Sequence, residues 1–250
     1  MSKQTTRSRS DVLRLWQPGL WRFLVSHDRR FVAGVTDRSG DVDGLRAYLQ
    51  SEVSRGRQMH PAFAGGMVLA EQIHGASLAA VEMPHPPIDP ITGCDGLTTR
   101  VPGLALVIRT ADCLPIVIWD PIQQVVGLIH AGWRGLVNDL PIRVINFVQR
   151  LYHSHPQNLW VGIGPAIRSC CYEVGKELVE RFGPFVREHH GRLTCDLIGC
   201  ATQQLLASGV RPVRLVDSGQ CTSCEAARWH SVRRDGDQGG RLLSFAMIRP

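Results

Sequence analysis

Leu104 to His130 reads LALVIRTADCLPIVIWDPIQQVVGLIH, and the choice of fold class turns on this stretch. It holds three short apolar runs, Leu104 to Arg109, Pro115 to Trp119 and Val125 to Ile129, all rich in Val, Ile and Leu and bounded by Gly, Pro or Asp. Those are strand features. The connections between them are too short for helices, so the strand–helix alternation of a doubly wound parallel sheet is absent here. The pattern predicts an α+β layered fold rather than a doubly wound parallel sheet.

The same signals extend in both directions. Met67 to Ile73 and Leu159 to Ile163 read as further strands. Between the last two runs, Val144, Ile145, Val148, Leu151 and Tyr152 recur at helical spacing, with Asn138 or Asp139 available as N-cap and Pro141 tolerable in the first turn. A second helix is expected from about Gly175 to Phe182, ending at Gly183-Pro184, and a third from about Leu197 to Ala207, ending at Ser208-Gly209.

Bulk properties narrow the class. With 250 residues, 44% hydrophobic, 25 Gly and 15 Pro, the chain can bury one substantial core, and no long linker or fixed-period repeat divides it. Residues 1–12 are polar and basic and are expected to be a disordered N-terminus, leaving 13–250 as a single catalytic domain. The start has no apolar core of a secretory signal, and the apolar stretch from Leu104 to Trp119 is broken by Arg109, Asp112 and Pro115. A cytoplasmic protein that does not enter membranes is expected. Eight unevenly spaced cysteines fit reduced thiols in a reducing compartment. The formal charge of +6 comes from dispersed arginines with no nucleic-acid motif, so nucleic acid is not the expected partner; a small anionic substrate would account for the surplus, and so would a basic surface that serves only solubility. A monomer is favoured.

Three fragments place a metal-binding side chain at the end of an apolar run: Gln72-Ile73-His74-Gly75, Thr110-Ala111-Asp112-Cys113 and His130-Ala131-Gly132-Trp133-Arg134-Gly135. Two imidazoles and a thiolate suit zinc, and three protein ligands leave a fourth position open, as catalysis requires. Strand ends can converge at one rim of a sheet, where a rigid scaffold fixes their geometry. Taken singly, each has an ordinary explanation: a hydrogen-bonded histidine, or a cysteine serving as a small buried apolar side chain. Arg109 and Arg134 are candidates to hold an anion, Arg109 because it ends an apolar strand, Arg134 because glycines flank it. Cys221 and Cys224 form a C-x-x-C without a second copy, which favours a structural role. The adjacent Cys170 and Cys171 are not expected to share a metal, and His153, His155, His189 and His190 read as solvated loop residues.

In combination these fragments resemble the YfiH-like family, whose members are also called laccase-domain or multicopper polyphenol oxidoreductase proteins. The matching stretches are Glu71 to Gly75, Asp95-Gly96-Leu97-Thr98-Thr99, Pro102 to Leu106, Thr110 to Pro115, His130 to Gly135, Gly164 to Ile167, Cys171-Tyr172-Glu173-Val174-Gly175 and Ser231 to Gly236. Together they span most of the chain from Met67 onward. The chain departs from the family pattern at Trp229-His230-Ser231-Val232, which lacks an aromatic pair, and at Gly239-Gly240-Arg241.

The resemblance implies a single YfiH-like α+β domain of mixed β-sheets layered with flanking helices, with zinc held by His74, Cys113 and His130. It also implies phosphorolysis of adenosine, inosine, guanosine and S-methyl-5′-thioadenosine, together with adenosine deamination. Read onto this chain, Arg109, Arg134 and Gln72 are expected to bind phosphate or substrate. Cys113 and His130 form the reactive centre, and Asp112 or Glu173 carries protons. Two alternatives stand beside it: a Cys/His amide hydrolase that edits cell-wall precursors, and, less favoured, a copper-dependent polyphenol oxidase, with copper bound in vitro.

Overall fold

The computed structural model describes residues 12–54, 66–82, 89–189 and 191–250; residues 1–11 of the expected disordered N-terminus, and His190, lie outside them. The strands are β1 (Leu13–Gln17), β2 (Leu20–Phe23), β3 (Phe31–Thr36), β4 (Met67–Leu69), β5 (Leu78–Ala80), β6 (Gly96–Thr99), β7 (Ala105–Thr110), β8 (Leu114–Asp120), β9 (Val125–Ala131), β10 (Trp160–Ile163), β11 (Val186–His189), β12 (Arg192–Cys195), β13 (Leu215–Asp217) and β14 (Leu242–Ile248). The α-helices are α1 (Val42–Ser54), α2 (Trp133–Val137), α3 (Leu140–Tyr152), α4 (Val179–Phe182), α5 (Leu197–Ala207) and α6 (Val232–Asp235).

Twelve of the strands form two six-stranded sheets, ordered β1-β2-β3-β14-β7-β4 and β13-β10-β8-β9-β6-β5. Both are mixed: β4 runs parallel to β7, β5 to β6 and β13 to β10, and the remaining pairs are antiparallel. The α+β reading of the sequence holds.

Strand periodicity explains why Leu104 to Ile129 looks so uniformly apolar. In β7, Leu106 and Ile108 enter the core between the two sheets, whereas Ala105 and Val107 face the opposite way onto a cluster with Leu45, Tyr48 and Leu49 of α1. In β8, Val117 and Trp119 meet that inter-sheet core, while Ile116 and Ile118 pack with Val144, Ile145 and Val148 of α3 and Ala201 and Leu205 of α5. Successive side chains point to opposite faces, and here both faces are buried. The layers therefore run helix, sheet, sheet, helix.

β7 belongs to the first sheet and β8 to the second, so the short turn between them joins the layers. Ala111 to Cys113 crosses between the layers. The expected helix over 175–182 is a 3-10 turn, Lys176–Leu178, followed by the single α-turn of α4. Too few residues separate Gly175 from Gly183, at φ +47°, for helical hydrogen bonds to offset the cost of nucleation. The other helices form where they are expected, with Asp196 capping α5 through a bond from the Gly199 N–H of 2.9 Å. Among the described residues no helix is long and apolar enough to cross a membrane.

Candidate active site

The crossing between the sheets creates the site. His74 follows β4 of the first sheet, His130 lies in β9 of the second, and Cys113 sits in the link that joins them. His130 is inside its strand rather than beyond its end, paired with Pro115 of β8. The convergence point is thus a seam between two sheets, not the rim of one. One nitrogen of each imidazole and the Cys113 sulfur all lie within 4.8 Å of one another. The two rings meet edge to face, with centroids 4.8 Å apart and planes at 81°.

Asp95, at the start of β6, organises this trio and is fully buried. Its Oδ1 accepts from the His74 N–H at 2.8 Å and lies 3.0 Å from His130 Nδ1, while Oδ2 accepts from the Gly75 N–H at 2.6 Å. Burial alone would raise the carboxyl pKa, but the His130 contact and these N–H donors hold it below the ordinary value. A carboxylate on Nδ1 leaves Nε2 of His130 for Cys113 or a cation, the arrangement that orients metal-bound histidines elsewhere. In the metal-free protein, burial opposes ionisation of both His130 and Cys113, and their mutual contact outweighs it. Asp95 and Cys113 raise His130 to about 9, and His130 and His74 lower Cys113 to about 7.

Backbone geometry is unusual here. Gln72, His74 and Asp112 have φ of +67°, +59° and +92°, values that non-glycine residues adopt only when their surroundings enforce them. The enforcement is visible in each case. Gln72 donates its side-chain amide to the Arg109 carbonyl at 2.5 Å and accepts from the Arg109 N–H at 2.7 Å. His74 is held by Asp95. The Asp112 carboxylate accepts from Thr222 Oγ1 at 2.6 Å and from the Arg233 N–H at 2.7 Å, and its carbonyl accepts from the Ile167 N–H at 2.9 Å.

A cavity of about 620 Å³ opens over the trio. Its wall includes Arg109, Arg233 and Arg241, three cations around one space, together with the half-buried Tyr172. Arg233 stacks over Tyr172 at 5.1 Å and donates from Nη1 to the Glu173 carbonyl at 2.7 Å.

The residues singled out from sequence therefore divide. His74, Cys113, His130, Asp112, Arg109 and Gln72 all line this cavity. Glu173 does not; its side chain is exposed and only its carbonyl takes part, as the acceptor for Arg233. Arg134 does not either, because α2 begins at Trp133 and carries the guanidinium out over the Trp133 ring at 4.4 Å. Sequence reasoning passed over Asp95, Tyr172, Arg233 and Arg241 as site residues. Asp95, Tyr172 and Arg233 do lie in the stretches that carry the family resemblance, and that was the available signal for them.

A family model described as multi-copper polyphenol oxidoreductase laccase matches residues 33–249. Purine nucleoside phosphorylase YlmD of Geobacillus stearothermophilus is 36% identical over 193 residues, 71% of this chain and 70% of that protein. Adenosine deaminase RL5, from an unknown prokaryotic organism, is 32% identical over 193 residues, 71% of this chain and 73% of that one. The crystal structure of YlmD from Geobacillus stearothermophilus superposes with a TM-score of 0.83 at 30% identity, covering 96% of this chain and 99% of that one. The YfiH protein of Bacillus licheniformis, 24% identical, shares the fold with a TM-score of 0.82 over 95% and 99% of the two chains.

Proposed function

This chain belongs to the multi-copper polyphenol oxidoreductase laccase family, and from that premise we propose that it is a zinc-dependent purine nucleoside phosphorylase. Adenosine, inosine, guanosine and S-methyl-5′-thioadenosine are the proposed substrates, with adenosine deamination at the same site, an activity named for one relative. The observation that carries this reading is the convergence of His74, Cys113 and His130 within 4.8 Å on the floor of a cavity walled by three arginines.

The donor set fits zinc. Two imidazole nitrogens and a thiolate are its preferred ligands, Asp95 holds His130 from behind, and the open cavity supplies a fourth position. Binding would displace the proton that otherwise rests on His130. A zinc ion there would contribute a net charge of about +1, drawing in phosphate oxygens and acidifying water. The same donors suit copper, which fits the family's description. A multicopper oxidase also needs a trinuclear cluster of paired histidines, and among the described residues the only other candidate metal group is made of cysteines.

The protein's own residues would then act as follows. Arg109, Arg233 and Arg241 hold phosphate, and Tyr172 offers its ring to the base. A phosphate oxygen attacks the ribose C1′, the bond from C1′ to the purine nitrogen breaks with its electron pair on the base, and the base takes a proton from solvent. Gln72 and Asp112 work at one remove: the first fixes the backbone of Arg109, the second that of Arg233. A reducing cytoplasmic setting goes with this reading, because Cys113 must remain a thiolate.

The test is metal analysis of untreated protein with a product screen of nucleosides with and without phosphate. Release of free base that depends on both phosphate and zinc is expected. Unchanged zinc content and turnover in Cys113→Ala would overturn the proposal.

A second reading is favoured by one specific feature. Asp95, His130 and Cys113 stand in the order carboxylate, imidazole, thiol, with the paired charges of an activated nucleophile, as a Cys/His amide hydrolase acting on cell-wall precursors requires. In it His74 is a second imidazole that favours the thiolate rather than a metal ligand. Alkylation of Cys113 by iodoacetamide that zinc fails to block would favour this hydrolase over the phosphorylase.

A further inference from the structure

Four cysteines lie apart from the trio. Cys170 and Cys171 occupy the turn after β10, closed by bonds from the Cys171 and Tyr172 N–H groups to the Arg168 carbonyl, each 2.9 Å. Cys221 and Cys224 occupy the loop after β13. The two loops run side by side through the Ala166–Cys221 bridge and are clamped by a two-pronged ion pair, Arg168 to Asp217, at 3.0 and 2.7 Å. Cys170 Sγ is 3.6 Å from Cys221 Sγ and 3.4 Å from Cys224 Sγ, Cys171 Sγ is 3.3 Å from Cys224 Sγ, and all four sulfurs lie within 4.8 Å of one another.

Those spacings match one chemistry. Zinc–sulfur bonds of about 2.3 Å in a tetrahedron put neighbouring sulfurs about 3.8 Å apart; the three closest pairs here, at 3.3 to 3.6 Å, lie within half an ångström of that edge, and no pair exceeds 4.8 Å. Disulfides require sulfurs about 2.05 Å apart, well inside the recorded distances. Zinc with four thiolates carries net charge of about −2, and two guanidiniums stand at the loops that carry them: Arg168, paired with Asp217, and Arg234, bonded to the Thr222 and Ser223 carbonyls. Adjacent cysteines do share the cluster, against expectation, because the turn at 168–171 brings both sulfurs to Cys224.

We propose that Cys170, Cys171, Cys221 and Cys224 bind a second zinc ion, in a closed four-thiolate site that fixes the cavity wall. Binding releases the thiol protons to solvent and needs no oxidant. The mechanical link is direct. Tyr172 of the cavity follows Cys171, Thr222 between the other two cysteines bonds to Asp112, and Arg234 donates to the Thr222 and Ser223 carbonyls at 2.8 and 3.0 Å. Zinc here therefore ties together the two loops that set Tyr172 and Arg233.

The test uses the full chain purified under reducing conditions; the wild-type count rests on the trio holding zinc as proposed above, whereas the Cys113→Ala arm reads the quartet whether or not the trio does. Elemental analysis should find two zinc ions per wild-type chain and one in Cys113→Ala. X-ray absorption at the zinc edge of Cys113→Ala should show sulfur ligands alone, at about 2.3 Å. Cys224→Ser should lose one equivalent and keep the site with nitrogen ligands. If Cys224→Ser fails to fold, the Cys113→Ala spectrum and the lowering of its thermal midpoint by a strong chelator decide the matter. No zinc in Cys113→Ala after incubation with excess zinc, nitrogen in its coordination shell, iron in place of zinc, or disulfides among these four cysteines in the reduced protein would each overturn the proposal.

Discussion

The trio of His74, Cys113 and His130 and the quartet of Cys170, Cys171, Cys221 and Cys224 are built from overlapping chemistry on opposite plans. The trio hangs on secondary structure: one ligand lies in β9, another in the segment after β4, a third sits in the link between β7 and β8, and a buried carboxylate stands behind two of them. The quartet hangs on two loops and brings all its ligands as sulfur. Three protein ligands under an open cavity leave room for a reactant, whereas four thiolates close the coordination sphere. Openness, rather than ligand affinity, separates a site for chemistry from a site for shape. Rigid strands suit the first because sub-ångström placement governs reactivity, and loops suffice for the second because the metal itself imposes the geometry.

The contrast breaks most sharply at Cys113. Cys113→Ala should lower nucleoside turnover by at least ~100-fold, beyond the usual effect of disturbing groups behind a metal, while leaving the sulfur-only zinc in place. Steady-state kinetics beside elemental analysis reads both. Loss of the second zinc as well, not restored by excess zinc, would overturn the quartet as a metal site and remove the contrast.

Asp95→Asn probes the carboxylate that the quartet lacks. The present carboxylate accepts from two backbone N–H groups and from His130, and an amide must turn a donor toward one of them. Zinc affinity at the trio should fall by ~10- to 100-fold, measured by competition with a chelating dye, with quartet affinity unchanged. Equal weakening at both sites would sink the distinction between them.

Thr222→Val tests the bridge between the regions. Thr222 is fully buried, and its hydroxyl donates to Asp112, so valine keeps the shape and orphans a carboxylate oxygen. Denaturant titration should show ~1–3 kcal/mol lost. Since Asp112 also holds Arg233, the KM for phosphate should rise more than kcat falls. An unchanged KM would mean that the loop and the cavity wall are uncoupled.

Much of the first region was legible in the sequence because its determinants are local. Apolar runs mark strands buried on both faces, and His74, Cys113 and His130 stand at or near their ends. What escaped depended on chain segments far apart. Asp95 acquires meaning only from His130, 35 residues away, and the positive φ of Gln72, His74 and Asp112 is imposed by tertiary bonds. Arg134 and Glu173 look well placed along the chain, yet α2 turns the first outward and the second offers only its carbonyl. The quartet was the least legible part. Its C-x-x-C lacks a spaced mate, since the partners are two adjacent cysteines about 50 residues earlier whose convergence depends on the turn at 168–171.

Gly132→Ala should give the smallest and most selective effect. Gly132 has φ of −79° and ψ of 173°, a conformation that alanine adopts without strain, so the backbone does not object. A Cβ there would stand 3.2 Å from Cys113 Sγ and 3.3 Å from His74 Cδ2, close enough that both side chains must shift by a few tenths of an ångström. Entropy removed from the unfolded chain favours alanine by ~0.4–1 kcal/mol, and its weaker capping of α2 works the other way, so the unfolding midpoint should barely move. Displacing two ligands from their preferred rotamers costs ~0.5–1.5 kcal/mol, which lowers zinc affinity at the trio by about 2- to 12-fold. The quartet is untouched by the same substitution. Metal competition on the variant thus measures how finely the trio is placed, and an affinity equal to wild type would mean that the seam between the sheets yields as freely as the loops do.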